Sequence, residues 1–185
     1  IGDYIVKTKL AKLDTEHPAF TASRDEVRGR LDKLLSIRGS KPVGDIHREL
    51  GAIMWNYVGM SRNAAGLKTA IDKIRSLRVQ FWTELKIPGA PDFKNTELER
   101  AGRVADFLEL GELMAMDALT REESCGGHFR EEYQTSENEA QRNDDKFAFV
   151  SAWELNATGN GALAWKLHKE ILTFENVHLA QRSYK

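Results

Sequence analysis

The 185-residue chain is short of several things, and each shortage excludes a class. There is a single cysteine, Cys125, so no internal disulfide can form and reducing surroundings are expected. There is no long apolar run. The longest uncharged stretch, Leu50 to Ser61, has 12 residues, against the ~20 that a spanning helix needs. There is no excess of charge, since 27 basic and 28 acidic residues leave a net of −1 and no field to hold a nucleic acid. Proline occurs four times and glycine fourteen, with no collagen-like period. The opening Ile1-Gly-Asp-Tyr-Ile-Val-Lys7 carries no signal-peptide pattern and no initiator Met, which predicts a piece of a longer protein. Motifs with built-in chemistry are missing too. No Gly-x-Gly-x-x-Gly follows a strand, and there is no phosphate loop ending in Gly-Lys-Ser/Thr. Nor is there a Gly-x-Ser-x-Gly elbow, a Cys-x-x-Cys pair or a His-Glu-x-x-His helix. Five histidines are scattered at 17, 47, 128, 168 and 178. Taken alone, the chain does not read as a self-sufficient enzyme.

What is present is helical periodicity. Residues 1–121 read as helices. Ser23 with Glu26 makes a capping box ahead of Val27, Leu31 and Leu34, and Gly39 is a plausible stop. A second helix follows Pro42 with Ile46, Leu50, Ile53 and Tyr57 on one stripe. A third starts near Ser61 and carries Leu67, Ile71, Ile74, Phe81 and Leu85. After a loop at Ile87–Phe93, Thr96 and Glu99 form another capping box, and Ala101, Val104, Ala105, Leu108 and Ala115 face inward on a helix ending near Arg121. Intervals of three, four and seven mark faces that must be covered. The expectation is a mainly α fold: an antiparallel bundle of three long helices plus a preceding helix.

The pattern changes at residues 122–145, where eight acidic and two basic side chains give a net of −6 without periodicity. This segment is expected to be irregular and mostly solvated. In residues 146–185, Phe147, Phe149 and Ser151 alternate with Ala148, Val150 and Ala152. Another strand-like run, Ala164 to Phe174, follows the turn Asn156-Ala-Thr-Gly-Asn-Gly161. That predicts a C-terminal β-hairpin, which needs a surface to lie on because a lone hairpin is marginal in water. The three stretches are expected to form one compact domain.

The unusual constellation is Arg121-Glu-Glu-Ser-Cys-Gly-Gly-His-Phe-Arg-Glu-Glu-Tyr133. Gly126 and Gly127 permit a sharp bend. In extended chain after them, His128, Arg130 and Glu132 share one face, and Phe129, Glu131 and Tyr133 the other. Three readings stand side by side: a solvated loop, a metal site from Cys125, His128 and Glu131, and a docking surface held by charge-assisted hydrogen bonds. Docking is the reading favoured by the paired glycines and the polar ladder. Its candidate residues are Arg62, Arg121, Glu122, Ser124, Gly126, Gly127, His128 and Arg130. Among the aromatic residues, Trp153 and Trp165 on the hairpin are better interface candidates than Trp55 and Trp82. His47 is expected on the bundle surface.

This stretch resembles the Glu-Ser-Arg-Gly-Ala-His-x-Arg-x-Asp signature in the C-terminal helical domain of succinate dehydrogenase and fumarate reductase flavoproteins. Glu49-Leu-Gly-Ala-Ile-Met-Trp-Asn-Tyr-Val-Gly-Met-Ser-Arg62 is similar to that family's helix ending in Met-x-x-x-Val-Gly-x-x-Arg. Leu108-Glu-Leu-Gly-Glu-Leu-Met-Ala-Met-Asp-Ala118 is similar to its Leu-Glu-Leu-x-Asn-Leu-Leu helix. The opening Ile1-Gly-Asp-Tyr-Ile5 resembles the exit from an FAD-binding domain. Cys125 stands where Arg is usual, Gly127 where Ala is usual, Glu132 for Asp, and Gln134 where Pro often sits.

The resemblance implies a domain that braces the FAD-binding domain of the same chain. No catalytic, cofactor-binding or metal residue can be carried onto this sequence. FAD belongs to the parent protein rather than to this piece, which is expected to be inactive alone. The parent is implied to be an FAD-dependent oxidoreductase interconverting succinate and fumarate, with an iron–sulfur subunit and, indirectly, a membrane anchor as partners. It would sit peripherally on the cytoplasmic face of the inner membrane, the piece itself being soluble. The C-terminal part of L-aspartate oxidase is the first alternative, and a free-standing helical adaptor is the second.

Overall fold

A computed structural model describes residues 1–8, 14–90, 94–157 and 163–180. Six helices and two small sheets are found among them. The order is α1 (Gly2–Thr8), α2 (Pro18–Ser36), β1 (Lys41–Pro42), α3 (Val43–Tyr57), α4 (Ala64–Glu84), β2 (Leu85–Lys86), α5 (Thr96–Thr120), α6 (Asp144–Phe147), β3 (Phe149–Ala157) and β4 (Leu163–Ile171). The fold is mainly α with a C-terminal antiparallel hairpin, as the periodicity predicts. Two compact units are formed, Ile1–Glu49 with Ser76–Leu108, and Leu50–Arg75 with Glu109–Lys185.

The first unit buries Leu34, Val43, Ile46, Leu77, Phe81, Leu85, Leu98, Ala101, Val104 and Leu108. Its helix starts differ from expectation. Helix α2 begins at Pro18, not at Ser23, because His17 supplies the cap: its Nδ1 accepts from the Ala19 N–H at 3.2 Å, and proline suits the first helical position. The Ser23–Glu26 box therefore lies inside the helix. Of the expected stripe only Leu34 is buried, while Val27 and Leu31 are exposed. Helix α1, to which no apolar stripe was assigned, is exposed along its length. Helix α5 is capped by Asn95 rather than Thr96, the Asn95 Oδ1 accepting from the Leu98 N–H at 3.0 Å.

Gly39 lies beyond the end of α2 and makes a close backbone approach. Its N–H donates to the Leu85 carbonyl at 3.1 Å, beside the parallel pairing of Lys41 with Leu85. A Cβ at Gly39 would sit 1.8 Å from the Glu84 carbonyl oxygen, so no other residue fits. Lys33 lies over the Trp82 ring, 4.3 Å from its centroid. His47 is exposed and faces Phe107, ring to ring, at 5.7 Å.

The second unit buries Leu50, Ile53, Val58, Leu67, Ala70, Ile71, Ile74, Ala115, Ala118, Phe147 and Phe149. Gly111 lets the helices close up: a Cβ there would meet the Met54 sulfur at 3.2 Å and Leu50 Cδ1 at 3.5 Å. Glu112, on the same helix, is fully buried and accepts from Arg75 Nε at 2.7 Å. Strands β3 and β4 pair in register from Phe149↔Ile171 to Ala157↔Leu163. The strands differ from expectation at two edges, since Phe147 belongs to α6 and the second strand ends at Ile171 rather than Phe174. Most of the predicted turn at 156–161 lies outside the described residues. The hairpin is not free: Trp153 Nε1 donates to Asp117 Oδ1 at 2.8 Å, which ties it to the last turns of α5.

Candidate functional site: the turn at the end of helix α5

A helix leaves its last four carbonyls without intrahelical partners. The chain that follows α5 folds back to supply those partners. Arg130 is buried at 2% exposure, and its Nη1 donates to the Ala118 carbonyl at 2.9 Å and the Leu119 carbonyl at 3.2 Å. Its Nε reaches Glu132 at 3.1 Å, and Tyr133 lies 5.4 Å from the guanidinium carbon. A cation at this end also suits the negative pole of the helix.

Ser124 fixes the backbone of that arginine. Its buried hydroxyl accepts from the Arg130 N–H at 2.8 Å and donates to the Arg130 carbonyl at 3.2 Å. Glu123, also buried, accepts from Arg121 Nη2 at 2.8 Å and from the Asn143 N–H at 3.1 Å. Arg121 donates in addition to the Phe147 carbonyl at 2.8 Å and lies over the Phe147 and Phe149 rings. Residues 122–145 are exposed or half-exposed except at Glu123, Ser124 and Arg130. Burial of these three is tolerated because each is satisfied: Glu123 by Arg121 and the Asn143 N–H, Ser124 by the Arg130 backbone, and Arg130 by the carbonyls of α5.

Between Ser124 and Arg130 the chain makes a tight two-way turn. The Cys125 N–H donates to the His128 carbonyl at 2.8 Å, and the His128 N–H to the Cys125 carbonyl at 3.0 Å. Gly126 sits at φ +59°, a left-handed conformation that glycine adopts without penalty. Both glycines are exposed. The His128 ring then spans two elements. Its Nε2 lies 2.9 Å from the Arg121 carbonyl, and its Nδ1 lies 2.7 Å from Arg62 Nη2. A carbonyl can only accept, so Nε2 carries the hydrogen and Nδ1 offers its lone pair to the guanidinium. Burial holds the imidazole below the ordinary histidine range; the hydrogen bond to the Arg121 carbonyl opposes this shift, and the charges of Arg62, Arg121 and Arg130 add to it. Burial and then Arg130 likewise lower Arg62.

The extended alternation expected over 128–133 stops at Arg130, where the Tyr133 N–H donates to the Arg130 carbonyl at 2.9 Å in a turn, so that both Glu131 and Glu132 reach the start of α4 and Tyr133 lies beside Arg130. The Glu131 N–H donates to the Arg62 carbonyl at 2.9 Å. Its carboxylate accepts from Ser61 Oγ and Asn63 Nδ2, both at 2.8 Å, and these bonds lower its pKa. Glu132 accepts from the Ala64 N–H at 2.5 Å. Although burial alone would raise it, that bond and Arg130 bring Glu132 below the usual carboxylate range.

The family model for the fumarate reductase flavoprotein C-terminus matches residues 47–184. The chain belongs to this flavoprotein C-terminal family. Among similar proteins, an FAD-dependent oxidoreductase of Methanocaldococcus jannaschii is 31% identical over 65% of this chain and 21% of its own length. The fumarate reductase flavoprotein subunit of Haemophilus influenzae is 25% identical over 71% of this chain and 22% of its own length. An L-aspartate oxidase of Nicotiana tabacum is 32% identical over 48% of this chain and 13% of its own. The chain therefore spans about a fifth of the length of the first two relatives. Two solved structures share the fold. An E. coli quinol fumarate reductase matches with a TM-score of 0.71 at 24% identity, over 89% of this chain and 27% of that one. The Mycobacterium smegmatis Sdh1 complex in the apo form matches with 0.72 at 23% identity, over 93% and 27%.

In this flavoprotein C-terminal domain, the candidate residues of the sequence come together in one unit, with different exposures. Ser124 and Arg130 are buried within it. Arg62, Arg121 and His128 are half-buried, and Glu122, Gly126 and Gly127 are exposed. Cys125 is a half-buried free thiol. The metal reading of Cys125, His128 and Glu131 is not met, because both His128 nitrogens are engaged and Glu131 turns to Ser61 and Asn63. No group of three or more such ligands gathers among the described residues.

Sequence reasoning did not single out Ser61, Asn63, Asp117 or Glu123. For Glu123 a signal existed in its adjacency to Arg121. For the others the link runs between distant stretches that no spacing rule joins. Trp55, not a hairpin tryptophan, is the most exposed indole at 84%. Two other clefts lie within the second unit. One of about 370 Å³ is lined by Ile71, Arg75, Met116 and Leu119, and one of about 300 Å³ by Glu122, Tyr133, Arg142 and Lys146. No helix among the described residues is long and apolar enough to cross a membrane.

Proposed function

We propose that this chain is the helical C-terminal part of a flavoprotein subunit that interconverts succinate and fumarate, and that its own task is to brace the FAD-binding domain. FAD and the dicarboxylate are held elsewhere in that longer polypeptide, and the hydride chemistry is the cofactor's. Electrons pass from FAD through an iron–sulfur subunit to quinone, with the assembly attached at the cytoplasmic face of the inner membrane through its anchor. The names of the relatives, a fumarate reductase flavoprotein subunit and an FAD-dependent oxidoreductase, support the parent reaction and cofactor.

The observation that carries the bracing role is the construction of the turn. Buried Glu123, Ser124 and Arg130 hold a rigid frame, and the exposed Gly126–Gly127 edge projects from it beside half-buried Arg62, Arg121 and His128. Such a frame suits backbone contact and charge-assisted hydrogen bonds with an opposing surface. Arg62, Arg121, Glu122, Ser124, Gly126, Gly127, His128 and Arg130 either form that surface or hold it in place.

The 185-residue chain mixed with FAD and succinate is expected to show no turnover and no tight flavin binding, and succinate oxidation by it alone overturns the bracing role. The L-aspartate oxidase reading rests on the Nicotiana relative. The two separate in a pulldown with the full-length gene product: recovery of an iron–sulfur subunit supports the dehydrogenase–reductase reading, and aspartate oxidation without one supports the alternative.

A further inference from the structure

We propose that His128 is a proton-operated latch that fastens the Cys125–His128 turn to the end of α5 and to Arg62, and that mild acid releases it. The inference is internal to the chain and does not depend on what the turn docks against.

The two glycines give the turn no side chain with which to hold itself. A Cβ at Gly126 or at Gly127 would find no atom within 4 Å. The imidazole does the holding instead, with Nε2–H donating to the Arg121 carbonyl and Nδ1 accepting from Arg62 Nη2. Both nitrogens are committed, and only one neutral tautomer satisfies both partners. A second proton must go to Nδ1. It removes the acceptor that Arg62 uses and sets a cation facing three others. The Nε2–H bond to the Arg121 carbonyl favours the charged ring and works against release, but burial and the three guanidinium groups outweigh it.

The charged groups around the ring are known from each neighbouring stretch. Arg62 comes from the segment before α4. Arg121 and Asp117 come from the end of α5, and Asp117 also draws on Arg62. Arg130 comes from the ladder after the turn. The carboxylates nearby are already committed: Glu123 to Arg121, Glu132 to Arg130 and the Ala64 N–H, and Glu131 to Ser61 and Asn63. No carboxylate on this list is turned to the imidazole to welcome the proton.

The sign follows directly. A histidine held below its ordinary range contributes stability that is present above that range and is lost as pH falls through its folded value. Glu131 and Glu132 are held below the usual carboxylate range, so their ties persist while His128 lets go. Release is therefore confined to the turn. The Glu131 N–H bond to the Arg62 carbonyl stays closed.

The test is amide hydrogen exchange and histidine-ring NMR on the whole chain between pH 8 and pH 5, corrected for intrinsic exchange. The expected result is loss of protection at the Cys125 and His128 amides, by up to about tenfold per pH unit below the ordinary histidine range, while Glu131 stays protected. His128→Gln can keep both bonds but cannot gain the proton, and its turn should stay protected across the range. Equal acid release in His128→Gln overturns the latch, and so does parallel loss at Glu131. Should that variant fail to fold, the wild-type ring decides: titration below the ordinary range in step with the two amides supports the latch, and titration at or above that range overturns it.

Discussion

Replacing Arg130 by alanine tests the central claim about the site, that a buried guanidinium finishes α5. Two carbonyls lose their donor, those of buried Ala118 and half-buried Leu119. Each such loss costs about 1–3 kcal/mol, with Leu119 at the low end because water can reach it. The favourable cation at the helix pole adds about 0.3–1 kcal/mol. Glu132 is more than a third exposed and rehydrates, so it adds nothing. The sum is about 2–5 kcal/mol, overlapping the range of about 3–5 kcal/mol found when one member of a buried ion pair is deleted. With a urea slope of about 2 kcal/mol per molar, the unfolding midpoint should fall by roughly 2 M.

Far-UV circular dichroism during urea titration measures it. Arg130→Lys should recover only part of the loss, since an ammonium lacks the planar fork that reaches two carbonyls and Glu132 together. Arg24→Ala is the control. Arg24 meets Asp25 on an exposed surface, and its loss should stay within about 0.5 kcal/mol. If Arg130→Ala is no worse than that control, the capping argument is wrong.

Two further outcomes are expected in the same assay. Gly39→Ala should cost about 3 kcal/mol because its methyl group meets the Glu84 backbone, whereas Gly126→Ala has open space and should cost only about 1 kcal/mol for its left-handed conformation; a reversed order would refute both readings. Glu112→Ala should cost about 2 kcal/mol, less than a fully enclosed pair, because Arg75 is half-exposed and can rehydrate. A change below about 0.5 kcal/mol would show that the buried carboxylate contributes nothing net.

The legible part of the molecule was the part governed by apolar spacing. Of the stripe Ile46–Leu50–Ile53–Tyr57 all but half-buried Tyr57 are buried, Leu67–Ile71–Ile74–Phe81 are buried as read, and the alternation after Ala148 does make a hairpin. Helix starts were less legible. His17 and Asn95 do the capping although Ser23 and Thr96 fit the commoner pattern, because a cap is decided by backbone direction at one residue. The acidic stretch is largely exposed or half-exposed, with local exceptions. Composition reads charge as a solvated face, yet Glu123 and Arg130 are buried, since their partners are backbone groups whose positions follow only from the fold. The alternation of the 128–133 ladder fails past Arg130, because a turn closed by the Tyr133 N–H on the Arg130 carbonyl sends Glu131 and Glu132 to the same neighbour, a tertiary contact that no spacing rule reads.

One residue of α5 has an effect beyond its own bond. Asp117 grips the Trp153 indole, and the next turn ends in carbonyls held by Arg130 and by the His128 ring. The β-ribbon and the glycine bend thus share a single footing. Inserting or deleting one residue just upstream would swing that footing by about 100° around the helix axis, carrying both appendages to the wrong side at once. Mutational drift in this region is therefore expected to favour exchange of side chains over any change in the number of residues between Gly111 and Asp117.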